Sequence, residues 1–391
     1  MSCVIFGAGK IARGFVGHLL YLSNIDFTFV EKADALCDLI NERKSYLVNI
    51  LGASEKNTVV QGAKALKFEQ VDAITDAISN ADCVFTAVGG KNLAELVPFL
   101  AGAVKKRMKA GKGAFNVITC ENWKKPADVI KDALMATLSE EERAWAEQNL
   151  GITEAVIMRS AIESTPDMLA KDPLVVNVQD FWEFPFDASR TKADMPCGMM
   201  GLKPIYEFTG FLERKFYTYN AANGTTSFVG ALLGYKYIAD AAHDPRIIDL
   251  LDGVYRETAT ALSKKHAFPF DEQWAFTRTS LRKLQDRNIV DYIERNARDP
   301  MRKLGPDDRL VGSARLCLEW DVVPDSLAVA IAAAIHYAEP TDHFAIELGR
   351  IREEEGIDAV LTKVCKIDAC GTLGMLIKDK IKKIKDMGWL K

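Results

Sequence analysis

The 391-residue sequence predicts an α/β N-terminal half, built on a doubly wound parallel sheet, followed by a mostly α-helical C-terminal half. Three observations carry the prediction. A short apolar strand runs through a glycine turn into a helical pattern at the start of the chain. Strand-like apolar runs then alternate with helical stretches. In the second half, apolar residues recur at helical spacing almost to the end.

The first strand is "SCVIF" (2–6), and "GAGKIARGFVGHLLYLS" is the turn and helix after it. "FTFVE" (27–31) is a second strand. "SYLVNIL" (45–51) and "NTVVQGAKALK" (57–67) read as an inserted hairpin. "DCVFTAV" (82–88), "AFNVITC" (114–120) and "EAVIMRS" (154–160) are further buried strands. "DASRTKADMPCGMMGLKP" (187–204) is rich in Gly, Pro and small polar residues and suits a linker, which divides the chain into domains 1–195 and 196–391. Helical spacing follows over 245–266, 272–297, 325–337 and 372–387. In the tail, Ile377, Ile381 and Ile384 share one face and lysines the other. A docked terminal helix with a solvated basic face fits this better than a helix lying on a membrane.

Hydrophobic residues make up 48% and charged residues 27% of the chain, an ordinary soluble balance. The net charge is −4 with lysines and arginines spread along the chain, which argues against a nucleic-acid partner. The longest purely apolar run, "LAVAIAAAI" (327–335), is too short to span a bilayer. Eight cysteines (Cys3, Cys37, Cys83, Cys120, Cys197, Cys317, Cys365 and Cys370) form no CxxC, and five scattered histidines show no zinc spacing. Folding is expected to begin at residue 2, without a leader. The expectation is a reduced, cytoplasmic enzyme with no metal and no membrane partner.

"GAGKIARGF" carries Gly7, Gly9 and Ala12 between a strand and a helix, the context of a dinucleotide-binding turn. Gly7 allows the tight turn. Gly9 lets a pyrophosphate reach the helix N-terminus, and Ala12 keeps the helix close to the strand. Glu31 ends the next strand, 22 residues after Gly9. A carboxylate there accepts hydrogen bonds from both ribose hydroxyls and repels a 2′-phosphate, favouring NAD over NADP. Lys32, directly after it, is a cation that tolerates such a phosphate. "TAVGG" (86–90), with Thr86, Val88 and Gly89, follows a later strand and brings the backbone close to the cofactor; alternatively it is an ordinary tight turn.

"FLERKFYTYNAANG" (211–224) reads as the end of a helix and holds Lys215, Asn220 and Asn223. At about 100° per residue they fall at roughly 0°, 140° and 80° on a helical wheel, on one side. Burial in an apolar pocket disfavours a charged lysine, so its amine can take a proton from an alcohol near neutral pH. Amide N–H groups beside it would hold the alkoxide that develops. The alternative is a lysine that snorkels from a half-buried helix.

"FGAGKIARGF" (6–15), "TAVG" (86–89), "CEN" (120–122), "ERKFYTYN" (213–220), "MRKLGPDDRL" (301–310) and "AIAAAIHY" (330–337) together resemble the polyol-specific long-chain dehydrogenases, nearly end to end. The resemblance implies a Rossmann-type NAD-binding domain, a helical substrate domain and a metal-free site in the cleft between them. It implies Lys215 as general base, with Asn220 and Asn122 holding the alkoxide. It implies that Arg302, Lys303 and Arg309 face the far end of the substrate, where arginine forks match phosphate oxygens. Two departures touch the substrate. Asn223 stands where the family has a histidine, so it can donate a hydrogen bond but cannot titrate near pH 7. Ile157 and Met158 precede Arg159 where the family has an acidic residue in a Val-Asp-Arg run. The implied reaction interconverts a polyol phosphate and a ketose phosphate, mannitol 1-phosphate and fructose 6-phosphate first. The alternatives are a free polyol, a hexuronate (fructuronate or tagaturonate), or a nucleotide-binding protein with impaired catalysis. The implied assembly is a monomer or homodimer.

Overall fold

The computed structural model describes residues 2–196 and 198–390; Cys197 lies outside the described residues. The chain forms two compact units, Met1–Phe208 and Thr209–Lys391.

Unit 1 is organised by a six-stranded parallel sheet. Its spatial order is Ala65–Lys67, Asp26–Glu31, Ser2–Phe6, Cys83–Thr86, Phe115–Thr119, Leu150–Glu154. Both faces are covered, so alternate residues of the first strand are all buried: Cys3 and Ile5 enter one core, Val4 and Phe6 the other. The strand order reverses at Ser2–Phe6. Register pairs Phe6 with Val30 on one side and with Thr86 on the other, and Thr86 with Thr119. The segments after those strands therefore leave the same sheet edge, the place where doubly wound sheets bind ligands.

Three segments differ from expectation. Residues 57–67 are not one hairpin arm. Thr58–Gln61 pairs antiparallel with Ser45–Leu51, the chain turns at Gly62 (φ +72°), and Ala65–Lys67 joins the edge of the main sheet beside Asp26–Glu31. The last main strand is Leu150–Glu154 rather than 154–160, because Arg159 is drawn into the interior by partners described below. Residues 187–204 are not a free linker. Phe184–Asp187 pairs in parallel with Leu202–Ile205, and the buried Asn116 binds the loop between them, accepting from Lys192 N–H (2.9 Å) and donating to the Ala193 carbonyl (2.7 Å).

In unit 2 the apolar run Leu327–Ile335 is the buried core of the helix Asp325–Ile335. The helices Ala221–Leu232, Pro245–His266 and Thr372–Asp386 pack around it. In the last of these, Ile377 and Ile384 are buried, Ile381 is half-buried, and the buried Lys380 pairs with Asp325 at 2.5 Å, so the terminal helix is docked. The pattern over 272–297 resolves into two helices, Phe270–Leu284 and Ile293–Ala297, with Asp286 and Asn288 in the turn between them. Of the seven described cysteines six are buried and Cys370 is exposed. No described helix is long and apolar enough to cross a membrane.

Candidate functional site

The turn after the first strand is constrained by close approach. Gly7 has φ +87°, and a Cβ there would stand 2.6 Å from the Ala87 carbonyl oxygen. Its N–H donates to the Val30 carbonyl (2.7 Å), tying the turn to the neighbouring strand. Gly9 has open space where its side chain would be. The helical residues begin directly after it, with Arg13 N–H donating to the Gly9 carbonyl at 3.0 Å. A pocket of about 260 Å³ lies over this turn, lined by Gly7, Gly9, Glu31, Lys32, Val88 and Glu95 among others.

Glu31 is held by three backbone amides. One oxygen accepts from Ala8 N–H (2.7 Å), the other from Lys32 and Ala33 N–H (2.9 Å each). The oxygen bonded to Ala8 N–H retains acceptor capacity for a hydroxyl. Lys32 pairs with Glu95 at 2.7 Å, so the pocket wall carries two carboxylates against one ammonium. This cradle fits a dinucleotide: an unobstructed glycine at a helix N-terminus and a fixed acceptor at the adjacent strand end.

Thr86 does not reach the pocket. Its side chain is fully buried and donates to Glu121 (2.7 Å), whose second oxygen accepts from Val88 N–H (3.1 Å). Glu121, which sequence reasoning passed over inside "CEN", thus shapes the turn 86–90 from below. Burial pushes its carboxyl above the usual range. Gly89 (φ +82°) is open on its Cβ side, and the Trp123 ring lies against Gly90. Asn122 is exposed and makes no hydrogen bond with any described residue. Ala12 is fully buried against the sheet.

The helix after the glycine turn is not regular. Ala12–Gly17 is a π turn, a rare form that recurs at functional sites. The carbonyls of Arg13 and Gly14 each accept a side-chain donor, Tyr46 Oη at 3.1 Å and Arg159 Nη1 at 2.9 Å. Arg159 is 2% exposed. It also meets His18 Nδ1 (3.0 Å), donates through Nε to the Phe181 carbonyl, and lies 4.3 Å from the Trp182 ring centroid. Burial, then the Arg159 charge, holds His18 down to about 3, so the ring is neutral and accepts at Nδ1. Arg159 therefore fastens the π turn beneath the glycine turn; the departure "VIMRS" had marked only its position.

In unit 2, Lys215 ends the helix Phe208–Lys215 and a second π turn follows, Phe216–Asn220, before the helix Ala221–Leu232. The segment is the middle of a continuous helical run and not a helix end. In a π turn the backbone partner is five residues on, so Asn220 follows Lys215 by about one turn, closer in angle than the 140° of a regular wheel. The Thr218 hydroxyl accepts from Gln273 Nε2 (3.0 Å), and the Tyr219 ring packs on Phe276 (5.0 Å), holding the turn against the helix Phe270–Leu284. Lys215 is half-buried and pairs with no described carboxylate. Burial, then the Arg309 charge, lowers its pKa. Asn220 is half-buried and makes no hydrogen bond with a described residue. Asn223 is already engaged, donating to Asn296 Oδ1 at 3.1 Å.

The basic stretch is largely self-paired. Arg309 stacks its stem on Gly224, lies 5.9 Å from the Phe216 ring and pairs with Asp308 at 2.9 Å. Arg302 bridges Asp299 and Asp308, each at 3.1 Å. Lys303 is buried, donates to the Arg298 carbonyl, and is pushed down to about 8 by burial and by Arg309 and Arg302. Lys283, absent from the sequence-level set, is also lowered to about 8, by burial and by Lys215. Lys215, Lys283, Lys303 and Arg309 thus form one electropositive neighbourhood.

The family model for the mannitol dehydrogenase Rossmann domain matches residues 1–197, and that for the mannitol dehydrogenase C-terminal domain matches residues 207–368. Among solved structures, the chain is similar to a D-sorbitol dehydrogenase in substrate-free form, with a TM-score of 0.82 and 16% identity over 99% of this chain and 93% of that one. It is also similar to the Pseudomonas fluorescens mannitol 2-dehydrogenase in ternary complex with NAD and D-mannitol, with a TM-score of 0.68 and 14% identity over 100% of this chain and 92% of that one. At such identities the likeness is one of fold.

The Arg159 arrangement is testable without substrate. In Arg159→Met the Gly14 carbonyl and His18 lose a donor inside the protein, where an unmet acceptor costs about 1–3 kcal/mol. Amide exchange across residues 12–18 should rise, while the helix Asp325–Ile335 keeps its protection. Unchanged exchange at 12–18 would show that the guanidinium does not support the turn.

Proposed function

The chain belongs to the mannitol dehydrogenase family, and from that premise we propose that it is an NAD-dependent dehydrogenase interconverting a polyol phosphate and a ketose phosphate, of the mannitol-1-phosphate 5-dehydrogenase type. The observation that carries the reading is Lys215: half-buried, without a carboxylate partner, its charge disfavoured, and one π turn below an unengaged amide. NAD supplies the hydride acceptor when bound. Gly7, Gly9 and Glu31 are the residues that would hold it, with Val88 and Gly89 beside them and Thr86 acting through Glu121. In the oxidation direction Lys215 removes the substrate hydroxyl proton. The amides of Asn220 and Asn122 donate to the developing alkoxide oxygen, and these groups do the charge work without a metal. Asn223 orients through its remaining amide hydrogen and does not titrate.

The electropositive neighbourhood of Lys215, Lys283, Lys303 and Arg309 supports an anionic substrate. One observation favours a free polyol instead: Arg302 and Arg309 are both already paired with Asp299 and Asp308.

Cofactor preference should follow the two carboxylates of the pocket wall. NADH is expected to exceed NADPH in kcat/KM, and Glu31→Ser to narrow the gap. Equal values for the unmodified protein would remove the role given to Glu31.

Lys215→Ala is expected to abolish nearly all turnover while leaving the Kd for NAD unchanged. The neutral amine is the active form, so kcat/KM for oxidation should rise with pH. Because the pKa is lowered, the midpoint should lie below the ordinary lysine value of 10.5. EDTA should have no effect; activity lost to EDTA and restored by zinc would defeat the metal-free reading.

Arg309→Ala separates the two substrate readings. A charge-assisted contact to phosphate is worth about 1.5–3 kcal/mol, hence roughly ten- to a hundredfold in kcat/KM for fructose 6-phosphate. Free fructose should change little when both are compared at one ionic strength. Equal losses on both would make Arg309 structural through Asp308, and a preference of the unmodified protein for free fructose would leave the polyol dehydrogenase reading alone standing.

A further inference from the structure

A buried amide brackets Lys215. Gln273, in the first turn of the helix Phe270–Leu284, is fully buried. Its Oε1 accepts from Arg214 Nε (2.5 Å), and its Nε2 donates to Thr218 Oγ1 (3.0 Å). An arginine Nε only donates, so the amide oxygen faces Arg214 and the NH2 group faces Thr218. Arg214 directly precedes Lys215, and Thr218 is the middle residue of the π turn Phe216–Asn220. One side chain from another helix thus ties the residue before the lysine to the widened turn after it.

The surroundings hold the same segment and leave the lysine out. The helix Pro245–His266 ends at Ala267 (φ +54°), and the corner there brings Lys265, His266 and Phe268 to the helix Phe208–Lys215. Glu213 pairs with Lys265 at 2.8 Å and also meets His266. The Arg214 guanidinium lies 4.4 Å from the Phe276 ring centroid and 5.0 Å from that of Phe268, and Nη2 donates to the Glu272 carbonyl (3.0 Å). Glu213, Arg214, Thr218 and Tyr219 are each gripped from outside their own helical run. An apolar side chain at position 273 would fill the interface without desolvating an amide. Two hydrogen bonds of fixed direction add what apolar packing lacks, a defined place for the π turn along the helix. A turn displaced by one residue would carry Asn220 to a different position relative to Lys215.

We propose that Gln273 is a positioning residue for the proton transfer. By binding Arg214 and Thr218 it keeps the π turn in one register, sets Asn220 against Lys215 and keeps the segment closed to water. The inference rests on the reading of Lys215 as general base.

The test reads Lys215 without substrate or NAD. The full-length protein is labelled with acetic anhydride over a pH series, and modification at Lys215 is quantified by mass spectrometry. The midpoint should lie below the ordinary lysine value of 10.5 in the unmodified protein. In Gln273→Met, water entering the loosened turn should raise the midpoint by about one unit. Amide exchange across residues 216–220 should increase, and the Kd for NAD should not change. Above the midpoint, kcat for polyol oxidation should fall about ten- to a hundredfold while KM moves less than about threefold. Gln273→Glu, whose carboxylate accepts from both Arg214 and the Thr218 hydroxyl, should recover kcat to within about threefold. Thr218→Val cuts one of the two bonds and should act in the same direction as Gln273→Met, by less. The proposal is overturned by an unchanged midpoint and unchanged exchange in Gln273→Met and Thr218→Val, by a raised midpoint with kcat intact, or by equal losses in Gln273→Met and Gln273→Glu. Turnover retained in Lys215→Ala would remove the base itself and this inference with it, and the labelling, which needs no turnover, tells that outcome from the others.

Discussion

A π turn releases backbone groups from their regular partners, and inside a protein those groups must be met by something else. Both helices that carry the candidate chemistry are interrupted in this way. At Ala12–Gly17 the carbonyls of Arg13 and Gly14 are met by Tyr46 and Arg159, side chains from distant parts of unit 1. At Phe216–Asn220 the turn is gripped through Thr218 and Tyr219 by Gln273 and Phe276 of another helix. Each irregular turn is therefore held by its surroundings. The position of the glycine turn, and of Asn220 above Lys215, depends on contacts far away in sequence.

The buried cations divide by how they are compensated. Arg107 lies beneath the main sheet and meets four backbone carbonyls, those of Ser79, Ala81, Gly113 and Ala114. Arg309 has a carboxylate beside it. Among the described residues Lys215 has neither, and its neighbours Arg309 and Lys283 share its sign. Burying a charge without compensation shifts its equilibrium toward the neutral form. A lysine so placed contributes little to holding the fold together and is suited to accept a proton, the property a metal-free alcohol oxidation requires.

The pocket over the glycine turn shows the opposite balance. Glu31 spends its charge on three amides and so stays fixed, while Glu95 occupies Lys32. A phosphate entering there meets two carboxylates. Lys32, the cation that complicates the sequence reading, has a carboxylate partner 63 residues away.

Much of this was legible from local chemistry. A glycine turn between a strand and a helix, a carboxylate at the next strand end and a nine-residue apolar helix core each rest on short-range rules, and the sheet and helical halves follow from periodicity. What needed the tertiary structure was decided by long-range partners. Ala65–Lys67 left its hairpin because Asp26–Glu31 offered a sheet edge. Residues 155–160 left the strand because the interior of unit 1 holds acceptors for Arg159. Thr86 turned from the pocket because Glu121 lies beneath it. A wheel of about 100° per residue puts Asn220 on the same side as Lys215 at about 140°; that the stretch between them is a π turn, held by side chains of another helix, was not legible from spacing. Residue types and their spacing determined which chemistry the chain carries; the backbone's need for partners in a crowded interior decided which of those groups remain free to perform it.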